Sequence, residues 1–168
     1  MLISDYTRDS YCQCGKVHCQ GVGQPIVSGI CYCDDCQIGA AMLENLEGAP
    51  PLRTTDGGTH YLTYRDDRFT CVSGTELLKS YKVVASSPTS RMVASCCNSA
   101  MYLKYSRGHW TSSYAARFGD GAPHVEMRTQ TKFRNSTLPL SENSKNFSGF
   151  GTRLLWRLFV SRIAMMFN

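Results

Sequence analysis

Nine cysteines in a chain of 168 residues constrain this protein more than any other feature, because seven of them stand in tight groups. Cys12-Gln13-Cys14-Gly15 is followed by Cys31-Tyr32-Cys33-Asp34-Asp35-Cys36, and far downstream by the adjacent pair Cys96-Cys97. Cys19 and Cys71 stand alone. At about 5% of the chain, cysteine exceeds ordinary usage but falls below the roughly 8–10% of a short disulfide scaffold. An odd total also leaves at least one thiol over in any fully paired scheme. The N-terminus, MLISDYTRDS, carries acids at Asp5 and Asp9 and no apolar run behind a basic start, so it is not expected to be a secretory signal. No apolar run reaches the roughly 18–20 residues that span a bilayer. The expected compartment is therefore the reducing cytoplasm, where cysteines are more often metal ligands or reactive thiols than disulfides.

Zinc takes four ligands in a tetrahedron, and a Cys-x-Cys turn supplies two. Cys12 and Cys14 must borrow the rest from a distant segment, and Cys96 and Cys97 are the obvious donors. The four together would form a closed, structural site that contributes folding free energy. Cys31, Cys33 and Cys36 differ. Three thiolates within six residues can wrap one face of an ion, and no fourth Cys or His lies at a natural offset. Three protein ligands with one open position is the arrangement of a catalytic zinc, here one that would bind a small thiol, lower its pKa and hold it ready for an electrophile such as an aldehyde. Cys19 and Cys71 read as buried apolar residues. His18, His60, His109 and His124 lack ligand spacing and read as ordinary surface or core residues.

The rest of the chain reads as mainly β. Tyr11–Val22 suggests a strand–turn–strand, and Ile26–Tyr32 a strand that delivers Cys31. Ile38–Leu46 suggests a short helix with acids at its start. Residues 48–60 are a Gly- and Pro-rich loop. Short β-prone runs follow at Tyr61–Tyr64, Phe69–Ser73, Leu77–Val84, Arg91–Ser95, Met101–Tyr105, His109–Phe118 and Val125–Phe133. The expected division is a zinc-binding β domain over 1–134, a polar linker over 135–151 and an amphipathic C-terminal helix over 152–168. In that helix Leu154, Leu155, Leu158, Phe159, Met165 and Met166 recur near helical spacing with Arg153, Arg157 and Arg162 between them. Its expected role is packing on its own domain or across a homodimer, with docking on a membrane surface or on a partner as the other reading. Charge is uneven. Residues 1–84 hold 7 Lys and Arg against 10 Asp and Glu, and residues 85–168 hold 11 against 3.

The order Cys-x-Cys-Gly, Cys-x-Cys-x-x-Cys and a late cysteine pair resembles the glutathione-dependent formaldehyde-activating (GFA, centromere protein V-like) family. Phe69, Ser73-Gly74, Leu78, Tyr81 and Arg91 follow that family's run between the cysteine groups. The resemblance covers roughly residues 10–118. It implies a mainly β fold of the Mss4-like type. It also implies a structural zinc on Cys12, Cys14 and the late pair, and a second zinc on Cys31, Cys33 and Cys36. The chemistry it implies is that of a carbon–sulfur lyase acting on a glutathione–formaldehyde adduct. Three departures stand out. The late pair is Ala94-Ser95-Cys96-Cys97-Asn98 rather than Cys-x-x-Cys-Gly, so either Cys96 completes the shell across a turn or Cys71 or Cys19 does. Gln37-Ile38 replaces a basic pair after Cys36, and residues 37–68 form a longer connection.

Two functions compete at this level. One is a zinc-dependent carbon–sulfur lyase acting on the adduct of an aldehyde with glutathione or another small thiol. The other is a zinc-stabilised binding module for a protein or nucleic acid. No basic run with interleaved aromatics and no recognition-helix motif supports nucleic acid. No Gly-x-Ser-x-Gly elbow, phosphate-binding loop or dinucleotide fingerprint is present.

Overall fold

The structure, a computed structural model, describes residues 6–167. The reading of the segment MLISD as no signal falls on positions outside the described residues. The chain forms a mainly β fold with a C-terminal helix. The first hairpin is β1 (Thr7–Tyr11) and β2 (His18–Val22), closed by the turn that carries Cys12 and Cys14. β3 (Val27–Cys31) leads into α1 (Asp34–Glu44), and β4 (Thr59–Arg65) and β5 (Phe69–Ser73) follow. A meander comes next: β6 (Leu78–Tyr81), β7 (Thr89–Ala94), β8 (Ser99–Tyr105) and β9 (Trp110–Tyr114). The chain ends with β10 (Met127–Thr129), β11 (Lys145–Asn146) and α2 (Thr152–Met165).

Two sheets result. The smaller has the order β1-β2-β5, and the larger β11-β10-β3-β4-β9-β8-β7-β6. α1 packs on the larger sheet through Cys36, Gly39, Ala40 and Leu43, a spacing of one helical face. Those residues meet Tyr61, Val93 and Tyr114 in one core cluster. A second cluster joins the sheets, with Cys12, Val17 and Cys19 against Ala94 and Met101.

Several elements differ from the sequence reading for local reasons. α1 starts at Asp34, four residues before the expected Ile38, because Cys33 is extended and acts as the N-cap while Asp34 and Asp35 sit in the positively polarised first turn. The run Val125–Phe133 yields only a three-residue strand, since Gln130 adopts φ 58° and turns the chain. His109–Phe118 stops as a strand at Tyr114, and Leu77–Val84 at Tyr81. Segment 135–151, expected as a linker, supplies β11, which pairs in parallel with β10 at the edge of the large sheet.

α2 is docked on the β domain. Arg157 pairs with Glu126 at 2.6 Å and donates to the Ile26 carbonyl at 3.0 Å. The His109 ring Nε2 lies 2.8 Å from the Leu158 carbonyl and from Ser161 Oγ. No helix among the described residues is long and apolar enough to cross a membrane.

Candidate metal centres

The first group is built by two turns. Cys12 follows β1, its N–H bonded to the Val17 carbonyl at 3.0 Å, and Gly15 at φ 77° lets the chain double back. Burial pushes the Cys12 thiol up, and the Val17 N–H, donating to Cys12 Sγ at 3.2 Å, offsets part of that shift. Opposite, β7 and β8 are joined by a tight turn closed by Cys97 N–H to the Ala94 carbonyl at 3.3 Å, with Asn98 at φ 50°. Adjacent cysteines on a strand would face opposite ways. On this turn both face the first hairpin.

The sulfurs converge accordingly. Cys12 and Cys14 are 3.6 Å apart, Cys12 and Cys96 3.9 Å, Cys14 and Cys96 3.3 Å, and Cys96 and Cys97 3.9 Å. A tetrahedral ion with metal–sulfur bonds of about 2.3 Å requires sulfurs about 3.8 Å apart. The residues therefore fit a closed four-thiolate site, and all four ligand atoms lie within 4.8 Å of one another. Ala94, two residues before Cys96, is fully buried. Cys19 and Cys71 face each other across β2 and β5 and lie outside the group. Cys96 is thus the residue that the structure brings to Cys12 and Cys14.

The thiols of this group behave as a set. Burial and the neighbouring thiols Cys14 and Cys12 push Cys96 up to about 12. Burial works the same way on Cys97, but hydrogen bonds from Ser99 Oγ and from the Cys14 and Ser99 backbones bring it down to about 6. A dication held among the four would let all of them ionise.

The second group sits where β3 gives way to α1. Cys31 is the last residue of β3, Cys33 the N-cap of α1, and Cys36 lies in its first turn. The early helix start is what makes the group, since it folds Cys36 back toward Cys31. All three sulfurs lie within 4.8 Å of one another. Among the described residues no fourth Cys, His, Asp or Glu joins them. Cys36 is buried, and Cys31 and Cys33 are partly exposed, so the group opens toward solvent on one side. The helix N-terminus adds a positive field that favours thiolate. Hydrogen bonds from the Cys33 and Cys36 thiols hold Cys31 down at about 3, and the same contacts raise Cys33 and Cys36.

Residues around this group were not assigned by sequence. Tyr61, buried on β4, donates its hydroxyl to Cys36 Sγ at 3.5 Å and packs on Tyr114 with ring centres 5.1 Å apart. Arg91 is fully buried beneath α1. It bonds the Asp35 carboxylate at 2.6 Å and the Asp35 carbonyl at 2.7 Å, which ties the first turn of the helix to β7. Gly39 is required there: a Cβ at that position would collide with the Arg91 guanidinium. Gln37 donates to the Tyr32 and Phe133 carbonyls at 2.5 and 2.9 Å and so fastens the segment after β10 beside α1. Tyr61 carried no signal in the sequence beyond its place in a β-prone run, and the Arg91–Asp35 pair is separated by 56 positions.

None of the histidines joins either group. His18 pairs with Asp9 at 2.7 Å, and His60 lies 2.9 Å from Ser28 Oγ. No family model matches the chain, and no curated protein matches it. Among solved structures, it is similar to a crystal structure of a Rhodobacter sphaeroides protein from structural genomics. Identity is 16%, coverage is 65% of this chain and 85% of that one, and the TM-score is 0.43.

Proposed function

We propose that the protein is a zinc-dependent carbon–sulfur lyase of the glutathione-dependent formaldehyde-activating type. It would act on the adduct of an aldehyde with glutathione or another small thiol. The observation that carries the reading is the three-thiol group Cys31, Cys33 and Cys36, partly exposed and without a fourth protein ligand among the described residues. Its contrast with the four-thiol group is chemical. Cys12, Cys14, Cys96 and Cys97 form a closed set suited to a structural ion, while the three-thiol set leaves room for a ligand. Zinc at the second group would supply Lewis acidity, holding an incoming thiol as its thiolate at neutral pH.

The chain's own residues prepare the group for that task. The first turn of α1 directs N–H groups and a positive field toward the sulfurs. Tyr61 fixes the Cys36 sulfur, and the Arg91–Asp35 pair holds the turn on which Cys33 and Cys36 ride. In the synthetic direction a carbon–sulfur bond forms between thiol and aldehyde carbon, the carbonyl π bond breaks, and the thiol proton ends on oxygen. The reverse restores thiol and aldehyde, so no oxidant or reductant is needed.

The test is exchange between free and adducted glutathione in the presence of formaldehyde, followed by NMR. Acceleration by wild type and its loss in Cys33→Ala are expected. Metal content should fall from two zinc ions per chain to one in that variant, with the fold kept. A folded wild type that contains no zinc, or that leaves the exchange at its uncatalysed rate, would exclude the reading for this substrate.

A further inference from the structure

α2 presents more apolar surface to solvent than to its own domain. The side it docks with runs through Leu154, Arg157, Leu158, Ser161 and Met165, of which only Ser161 is fully buried. Leu155, Trp156, Phe159, Val160, Ile163 and Met166 are all exposed, Trp156 at 65% and Met166 at 72%. At 100° per residue these six fill one continuous arc of about 140° opposite the docked side. Trp156 and Phe159 pack against each other on it, their ring centres 5.8 Å apart and their planes tilted by 35°. The patch continues into a cleft of about 480 Å³ beside Pro25 and Ile26. With Phe167, which is 83% exposed, the apolar side chains on show amount to something on the order of 700 Å², beyond the roughly 300–600 Å² of the largest patch on an ordinary monomer.

The charges around the arc say what covers it. Arg153 and Arg162 are exposed and fall on its two opposite edges, and Arg157 is taken up by Glu126. No acidic residue occurs after Glu142 in the chain. A second copy of the helix laid against the first would set arginine edges against arginine edges with no carboxylate of its own to answer them, which disfavours self-pairing. An apolar arc with an aromatic pair and bordering arginines matches instead the boundary between acyl chains and anionic headgroups.

We propose that α2 docks the protein on a membrane surface containing anionic phospholipid. The helix would lie in the interface plane, Trp156 and Phe159 would enter the acyl boundary, and Arg153 and Arg162 would pair with headgroup phosphates. The proposal is independent of the metal chemistry.

The test uses the full chain and co-sedimentation with large unilamellar vesicles, either pure phosphatidylcholine or phosphatidylcholine with 30% phosphatidylserine. Partitioning at least ten-fold stronger onto the anionic vesicles, and weaker at high salt, is expected. Trp156→Ser with Phe159→Ser should lower it at least ten-fold. Arg153→Gln with Arg162→Gln should lower it about 30-fold on anionic vesicles, from about five-fold per arginine at such a surface. All four positions are exposed, so an unchanged circular-dichroism spectrum and melting temperature certify the fold, and the arginine variant decides alone if the aromatic one misfolds. Equal weak partitioning onto both vesicles overturns the proposal. So does unchanged binding by the arginine variant. A dimer seen by sedimentation equilibrium that W156S/F159S dissolves, with no vesicle binding, assigns the face to a second copy and also overturns it.

Discussion

Replacing Tyr61 with Phe removes one atom, the hydroxyl oxygen 3.5 Å from Cys36 Sγ, and keeps the ring that packs on Tyr114. Hydrogen bonds to charged acceptors contribute about 1.5–3 kcal/mol, and this one spans a long oxygen–sulfur distance, so about 1.4 kcal/mol is a fair value. That is ten-fold in affinity, at the lower end of the roughly 10–100-fold typical when a partner of a metal ligand is lost. The direction follows from charge. Burial and its neighbouring thiols keep Cys36 protonated, and only an ion would ionise it; the tyrosine would then donate to that thiolate, so without the hydroxyl Cys36 holds its proton harder and competes less well for the ion. The assay is a competition titration of zinc-loaded protein with a chromophoric chelator, resolving two binding steps. Only the weaker step, assigned to Cys31, Cys33 and Cys36, should move, by about ten-fold. Tyr64→Phe, whose ring packs instead beside Phe69 and Phe118, should move neither. An affinity within two-fold of wild type for Y61F would refute the claim that this hydroxyl supports the metal ligand. A parallel loss at the Cys12 group would show that the effect is global.

Two further substitutions separate structure from site. Asp35→Asn should destabilise the fold by about 1–2 kcal/mol, because it leaves the fully buried Arg91 guanidinium short of its counter-charge although the Asp35 carboxylate is itself half exposed and screened, whereas Arg91→Met should cost less than that. Thermal melts with zinc in excess should therefore rank D35N below R91M, and the opposite order would contradict the buried-charge argument. Burial first, and then the charge of Arg128, pushes His60 down to about 4. Its folded pKa lies below the unfolded value of about 6.5, so the stability it contributes is full above pH 6.5 and is lost as pH falls toward 4. Wild type should therefore lose about 2 kcal/mol relative to His60→Gln across that window, and a constant difference in urea midpoints would count against it.

How much of this was legible in the sequence depended on distance along the chain. The three-cysteine group was, because its spacing lies within one strand end and one helical turn. The helix itself was misplaced by four residues, since the apolar pattern begins at Ile38 while the acids and the extended Cys33 set the start. The role of Cys96 stayed open beside Cys19 and Cys71, because a linear string does not show that the pair sits on a turn. The structure supplies the Ala94–Ser99 register that puts it there. Strand existence was readable from β-prone runs, but their ends were set by residues such as Gln130, whose left-handed backbone composition does not announce. β11 was invisible for another reason. A two-residue edge pairing inside a polar stretch has no periodicity, and it forms because β10 offers it a free edge.

The same distinction separates the two cysteine groups. The four-thiol group joins segments more than 80 positions apart, the first hairpin and the β7–β8 turn, so an ion there closes a long loop and contributes to folding. The three-thiol group closes only a six-residue loop, from Cys31 to Cys36, and an ion there constrains little of the chain that β3, α1 and the Arg91–Asp35 pair do not already hold. A metal that is dispensable for the fold can keep a coordination position for a ligand other than protein. Loss of the ion from the first group should therefore unfold the hairpin, while loss from the second should leave the β domain standing. That asymmetry follows from loop length and hydrogen bonding alone.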